Sequence, residues 1–151
     1  MKPNFFFAVI LAAVYSASAS GQSCVTPIAV ISSGALTGNT CSGSVQLPSL
    51  LDGAISNDNP QIVYRVTLAS STDVHLTLVP DASADMSMFV CPNQCSTSAT
   101  CIAADQAGAG GAETVALPNA PGDYYVIVAC SEGTTPACGT YTLSVSTPLS
   151  D

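Results

Sequence analysis

The sequence holds a single histidine, His75, so any Ser-His-Asp or Cys-His arrangement for nucleophilic catalysis must run through it. His75 stands between Val74 and Leu76 in an alternating stretch, which points it away from the face its neighbours bury. No nucleophile elbow lies near it, and it reads as a solvent-facing or partner-facing strand residue rather than a catalytic base. Asp52, Asn57, Asp58 and Asn59 in one loop, with Asp81 and Asp85 in another, supply hard oxygens of the kind calcium uses. The same residues are what turns require, because Asp and Asn side chains hydrogen-bond their own backbone, and no EF-hand spacing is present. Asp81 and Asp85 are the candidate calcium ligands, and no other cofactor is expected. Paired-carboxylate glycosidase chemistry has little support, since the acids sit in turns and sugar-stacking tryptophans are absent. The segment Ala107–Ala112 (AGAGGA) lacks the strand-to-helix setting and the lysine of a phosphate cradle. An enzyme is not expected.

The 7 cysteines are the sharpest feature. Cys91, Cys95 and Cys101 lack the paired CxxC knuckles of a zinc site, and no histidine lies near them. In an exported chain they read instead as a disulfide framework. Cys130 and Cys138 flank the turn-rich SEGTTPA segment between two neighbouring strands and are expected to close on each other. Cys101 is expected to bridge Cys91 or Cys95, and Cys24 to bridge Cys41, each bond contributing about 2 to 4 kcal/mol. Seven is odd, so one thiol is left over: Cys91 or Cys95, taken as Cys95. That thiol is either buried and silent or joined to another molecule.

Export is read from the first 19 residues. Lys2 gives a positive start, Phe5 to Val14 form an apolar run too short to span a bilayer, and Ala17-Ser18-Ala19 offers a signal-peptidase site. Removal of residues 1–19 leaves Arg65 as the one basic side chain against ten acids, with no lysine. Nucleic acid is excluded as a partner, because phosphate binding needs clustered Lys or Arg. Only 8% of the residues are charged, so the surface must be built of Ser, Thr, Gly, Asn and small apolar groups.

Short alternating runs separated by turn residues predict an all-β, disulfide-stapled antiparallel β-sandwich, jelly-roll-like, of about eight strands. Ile62, Tyr64, Val66 and Leu68 share one face, and Val74, Leu76 and Leu78 repeat the pattern after a turn, which implies a hairpin. Met86, Met88 and Val90, then Glu113–Leu117, Tyr124–Cys130 and Tyr141–Val145, supply further strands. In the last, Thr140, Thr142 and Ser144 form a wet face. Residues 20–40 form an N-terminal arm or extra edge strand, 41–147 the sandwich and 148–151 a tail. The apolar arm either pairs within the chain or adds to a neighbouring subunit.

Four segments in order carry a family likeness: Ile62-Val63-Tyr64-Arg65-Val66, Asp85-Met86-Ser87-Met88-Phe89-Val90, Gly122-Asp123-Tyr124-Tyr125-Val126 and Gly139-Thr140-Tyr141-Thr142-Leu143-Ser144-Val145. From about Cys41 to Thr147 the chain resembles the bacterial pre-peptidase C-terminal domain, a small secreted β-sandwich usually appended to exported proteases and other enzymes. Ser87 stands where the second aspartate of the family's Asp-containing strand falls, and the cysteines are not a general family feature. The expected function is a secreted, non-enzymatic structural or adhesive protein that self-associates, as an extracellular filament or surface-layer subunit. The odd cysteine, the apolar arm and the missing lysines favour it. The alternative is a carbohydrate- or protein-binding module of the kind the resemblance implies, with polysaccharide or extracellular protein as partner. The expected location is extracellular or at the cell surface, without a membrane span.

Overall fold

The computed structural model describes residues 23–30, 32–50, 55–105 and 107–146; the expected signal peptide and C-terminal tail lie outside them. Eleven strands run along these residues: β1 (Ile28–Val30), β2 (Gly34–Asn39), β3 (Ser49–Leu50), β4 (Ile55–Ser56), β5 (Gln61–Leu68), β6 (His75–Pro80), β7 (Met86–Pro92), β8 (Ile102–Ala104), β9 (Glu113–Ala116), β10 (Gly122–Cys130) and β11 (Thr140–Val145). A single 3-10 turn, Thr40–Ser42, follows β2. Nine strands form two facing sheets, one of five in the order β1-β5-β10-β7-β8 and one of four in the order β2-β11-β6-β9, while β3 and β4 form a small ribbon. All pairings are antiparallel except β1 with β5.

Period-two alternation explains why the sheets face each other. Ile62, Tyr64, Val66 and Leu68 of β5, Tyr124, Val126, Val128 and Cys130 of β10, and Met86, Met88 and Val90 of β7 lie in one buried cluster with Leu76 and Leu78 of β6 and Tyr141, Leu143 and Val145 of β11. The hairpin expected of β5 and β6 does not form. β5 pairs with β1 and β10, whereas β6 pairs with β11 and β9 in the other sheet. The segment between them crosses the sandwich, because two strands with apolar faces of this size bury more surface stacked face to face than side by side. The N-terminal arm is divided in the same way: Ile28 is in register with Tyr64 in one sheet, and Leu36 with Leu143 in the other.

The outer face of the five-stranded sheet is also buried. Val63, Phe89, Cys91 and Ile127 project outward beneath Leu47, Leu50, Ala99 and Cys101 from the flanking loops, with Tyr125, Cys24 and Cys95 packed against them. This second cluster is why β5, β7 and β10 are apolar on both sides, and it accounts for adjacent Tyr124 and Tyr125, which serve the two clusters in turn. Buried Gln61 pins the covering loop: its carbonyl oxygen accepts the Leu47 N–H at 2.9 Å, and its amide donates to the Leu47 carbonyl at 2.8 Å.

Across the main core, the Tyr64 and Tyr141 hydroxyls share a hydrogen bond of 2.8 Å, and the rings meet edge to face with centroids 6.5 Å apart. Gly38 lies opposite Tyr141 in β2, where a Cβ would overlap the ring. Tyr141→Phe is expected to leave the Tyr64 hydroxyl buried without a partner, costing about 1 to 3 kcal/mol in urea unfolding with disulfides intact. The double change to Phe at 64 and 141 should cost less than the sum of the single changes. Gly38→Ala should cost about 1 to 3 kcal/mol by overpacking.

Candidate functional site

Among the described residues, nothing covers the outer face of the four-stranded sheet in this way. The inward residues of its strands enter the core, and the alternate ones emerge: Ala35, Thr37 and Asn39 from β2, Thr140, Thr142 and Ser144 from β11, His75, Thr77 and Val79 from β6, and Thr114 and Ala116 from β9. Registry lines these up across the sheet. One row runs Ala35, Ser144, Thr77, Thr114, and the next runs Thr37, Thr142, Val79. Strand geometry spaces such side chains about 4.8 Å apart across the sheet and about 6.8 Å along it. Ionisable groups occur only towards the ends of this face. Asp81 accepts from the Thr140 hydroxyl at 3.3 Å, and His75 Nε2 lies 3.4 Å from Asp73 Oδ1. Between them is a sheet of hydroxyls and methyls without charge, a surface that can hydrogen-bond an uncharged, hydroxylated partner without desolvating an ion.

The remaining candidate residues are not brought into a reactive arrangement. His75 is exposed on the outer face as its position predicts, and the one hydroxyl bonded to it, Ser146 Oγ, accepts from its backbone N–H at 2.9 Å and not from the imidazole. Asp81 and Asp85 diverge: Asp81 takes the Thr140 hydroxyl, while Asp85 and Asp105 are both reached by the Ser131 hydroxyl, at 3.4 and 3.0 Å. Among the described residues, no three His, Cys, Asp or Glu side chains are placed to hold a metal ion. Asn57 and Asn59 donate their amides to the Cys130 carbonyl at 3.1 Å each, so both serve the backbone. Asp52 lies outside the described residues.

The cysteines pair as Cys24–Cys95, Cys41–Cys138 and Cys91–Cys101, and the free thiol is Cys130. Closure of Cys130 on Cys138, of Cys24 on Cys41, and a free Cys95 are therefore not what the structure has. Cys130 ends β10 on its inward face, committed to the core. Thr40 holds Gly139 through its N–H, which donates to the Gly139 carbonyl at 2.9 Å, and its hydroxyl, which accepts the Gly139 N–H at 3.0 Å and lies 3.3 Å from the same carbonyl, and this brings the adjoining Cys41 and Cys138 together. Cys24 precedes β1 and so sits with the loop over the five-stranded sheet, within reach of Cys95. Three disulfides fit an oxidising compartment, and among the described residues no helix is long and apolar enough to cross a membrane.

With the geometry in place, comparison with known proteins bears on the fold. No family profile and no curated protein matches the sequence. Among solved structures, the chain is similar to the pre-peptidase C-terminal domain of a collagenase from Bacillus anthracis, with a TM-score of 0.51 and 17% identity over 79% of this chain and 93% of that one. The chain has the fold of a pre-peptidase C-terminal domain. It also matches PliG, a periplasmic inhibitor of g-type lysozyme from Aeromonas hydrophila, with a TM-score of 0.49 and 19% identity over 79% of this chain and 93% of that one. A third match is CorA, a surface-associated copper-binding protein of Methylomicrobium album BG8, with a TM-score of 0.43 and 12% identity over 76% and 93%. This chain combines that fold with three disulfides and a hydroxyl-lined sheet face.

Burial pushes the Cys130 thiol up from its ordinary value; the Thr40 hydroxyl partly offsets this and the charge of Asp85 adds to it. Burial likewise raises Tyr64 and Tyr141. These groups are neutral in the fold, whereas the unfolded chain ionises the thiol near pH 9 and the tyrosines near pH 10. Stability from their neutral burial is complete below those values and is lost as pH rises beyond them. The urea midpoint should therefore fall above about pH 9, and Cys130→Ala should remove the earliest part of the fall. A thiol reagent should find one reactive sulfur per chain in denaturant and none in the native protein.

Proposed function

We propose that this is a secreted, non-enzymatic structural or adhesive protein that works by contact, setting the uncovered face of its four-stranded sheet against an uncharged extracellular surface. The observation that carries this reading is the difference between the two outer faces. One is buried under loops held by Cys24–Cys95 and Cys91–Cys101, and the other is left open, neutral and lined with hydroxyls. A face whose outward side chains are mostly Thr, Ser and Ala, with Val79 as its exposed larger apolar group, has little hydrophobic surface to offer a conventional protein partner. Its Thr and Ser hydroxyls, each both donor and acceptor, fit a polyhydroxylated partner better, which favours neutral polysaccharide over protein as the ligand.

Self-association, as in a filament or surface layer, belongs to the same reading but on changed grounds. The odd thiol is buried, so it offers no covalent link, and both strands of the N-terminal arm pair within the chain, so the arm is not a free segment that crosses to a neighbour. What supports it is the absence of ionisable side chains from the middle of the open face, which removes repulsion and ion desolvation from close packing there. The binding module of a larger secreted system shares the same contact face. The disulfides support an extracellular or periplasmic setting.

Retention of the purified protein on a panel of insoluble neutral polysaccharides and matrix proteins tests this function. Thr77→Asp or Thr142→Asp should weaken retention on polysaccharide by about tenfold, because each places a charge within the rows. Thr97→Asp, in the loop covering the opposite sheet, should leave it unchanged. No retention on any member of the panel, or equal losses from all three variants, would count against the face.

A further inference from the structure

We propose that β2 is the surface through which two copies of this chain associate, by antiparallel pairing of Gly34–Asn39 with the same strand of the second copy about a two-fold axis. The proposal rests on the contact reading above and adds to it the place and the partner. An unpaired sheet edge presents a row of N–H and C=O groups that another strand can join, and natural edges are guarded by short length, charge, proline or cover. The two main sheets have four lateral strands, β1, β8, β2 and β9. β1 and β8 are three residues long, and Cys101, bridged to Cys91, immediately precedes β8. β9 has four residues and starts at Glu113, whose carboxylate accepts the Ala107 N–H at 2.7 Å and folds the preceding loop back on that end. β2 has six residues, GALTGN, with no charge and no proline, and among the described residues its ladder is to β11 alone. It is the least guarded of the four.

Its shape is also fixed in advance, so little order is lost on pairing. The Tyr141 ring lies against Gly38, and Asn39 leads into the turn that Cys41–Cys138 ties to the start of β11. A second copy is the partner that charge allows here. The chain carries a net charge of -8, so two copies repel over much of their surface, yet neither β2 nor its neighbour β11 bears an ionisable group other than the buried Tyr141. An antiparallel strand is complementary to itself, as a two-fold contact requires.

Residues directly opposite in an antiparallel pair point to one side, so the axis passes through Leu36 or through Thr37. The first register sets Ala35 against Thr37 of the second copy, and the second sets Ala35 against Asn39. In both, Leu36 stays on the core side and Thr37 on the open face. Two four-stranded sheets then become one of eight strands, and the hydroxyl rows run on from one copy to the other. The contact is small, in the class below about 1,200 Å² that gives weak, transient association.

Sedimentation equilibrium of the disulfide-intact chain without residues 1–19, from micromolar to near-millimolar concentration, should show a monomer–dimer equilibrium. Thr37→Lys brings like charges together at or beside the axis in either register, and Ala35→Lys does so in the first; a lysine so placed should weaken the dimer by about tenfold or more, with thermal melting confirming an intact fold. Thr114→Lys, on β9, should leave the dimer unchanged. A monomer at every concentration, or a dimer indifferent to lysine at both 35 and 37, overturns the proposal. Polysaccharide retention is scored separately: a β2-dependent dimer with no retention supports the pairing and removes only the contact reading.

Discussion

The hydrogen bond between Tyr64 and Tyr141 joins the two sheets where an aromatic side chain from each meets the other. The sequence has no tryptophan, and the phenylalanine of the described residues, Phe89, is used in the second cluster. The space between the sheets is therefore filled by Val, Leu, Ile and Met, with tyrosines supplying the bulk. A tyrosine buried this deeply must satisfy its hydroxyl, and the two meet that need in each other. The solution constrains its surroundings. β2 needs a glycine opposite Tyr141, and a strand with glycine there holds its place through its ladder, the packing of Leu36 and the disulfide after it.

A core of small residues also explains the division of labour between the outer faces. Burying a second apolar layer over the five-stranded sheet adds hydrophobic area that the inter-sheet core cannot supply alone. Two of the three disulfides fasten that layer, and the third fastens the end of β2. Stability is thus concentrated on one side of the molecule. The four-stranded sheet then needs nothing more on its exterior, and its outward positions can be given to threonine and serine, which suit strands and carry no charge.

Much of this was legible in the sequence, and the failures share a cause. Alternation marked the strands, the inward residues of β5, β6, β7 and β11, the outward position of His75 and the wet face of β11, because each is a property of one strand. Adjacent Tyr124 and Tyr125 obey the same period, one entering each cluster. What period two cannot express is which strand lies beside which. The hairpin expected of β5 and β6 failed because a short connection serves a crossing between sheets as well as a turn within one. Cystine partners depend wholly on strand order: Cys41 meets Cys138 only because β2 lies beside β11, and Cys130 is kept from Cys138 by facing inward at the end of β10. The hydroxyl rows were hidden for the same reason. Thr37, Thr77, Thr114 and Thr142 are scattered in sequence and become neighbours only through registry.

The placement of Cys130 changes what kind of association the molecule can support. An exposed odd cysteine would have made a covalent dimer, fixed once formed and broken only by reductant. A buried one leaves the surface to weak, reversible forces, and on a surface this poor in charge and in large apolar groups those forces are main-chain and hydroxyl hydrogen bonds. Such bonds contribute little singly, because each replaces a bond to water. They become effective when many are presented in register by a rigid array, so that ordering the first also orders the rest. A disulfide-fastened sheet with an open face and one unguarded edge is an array of that kind, with the edge extending what the face presents.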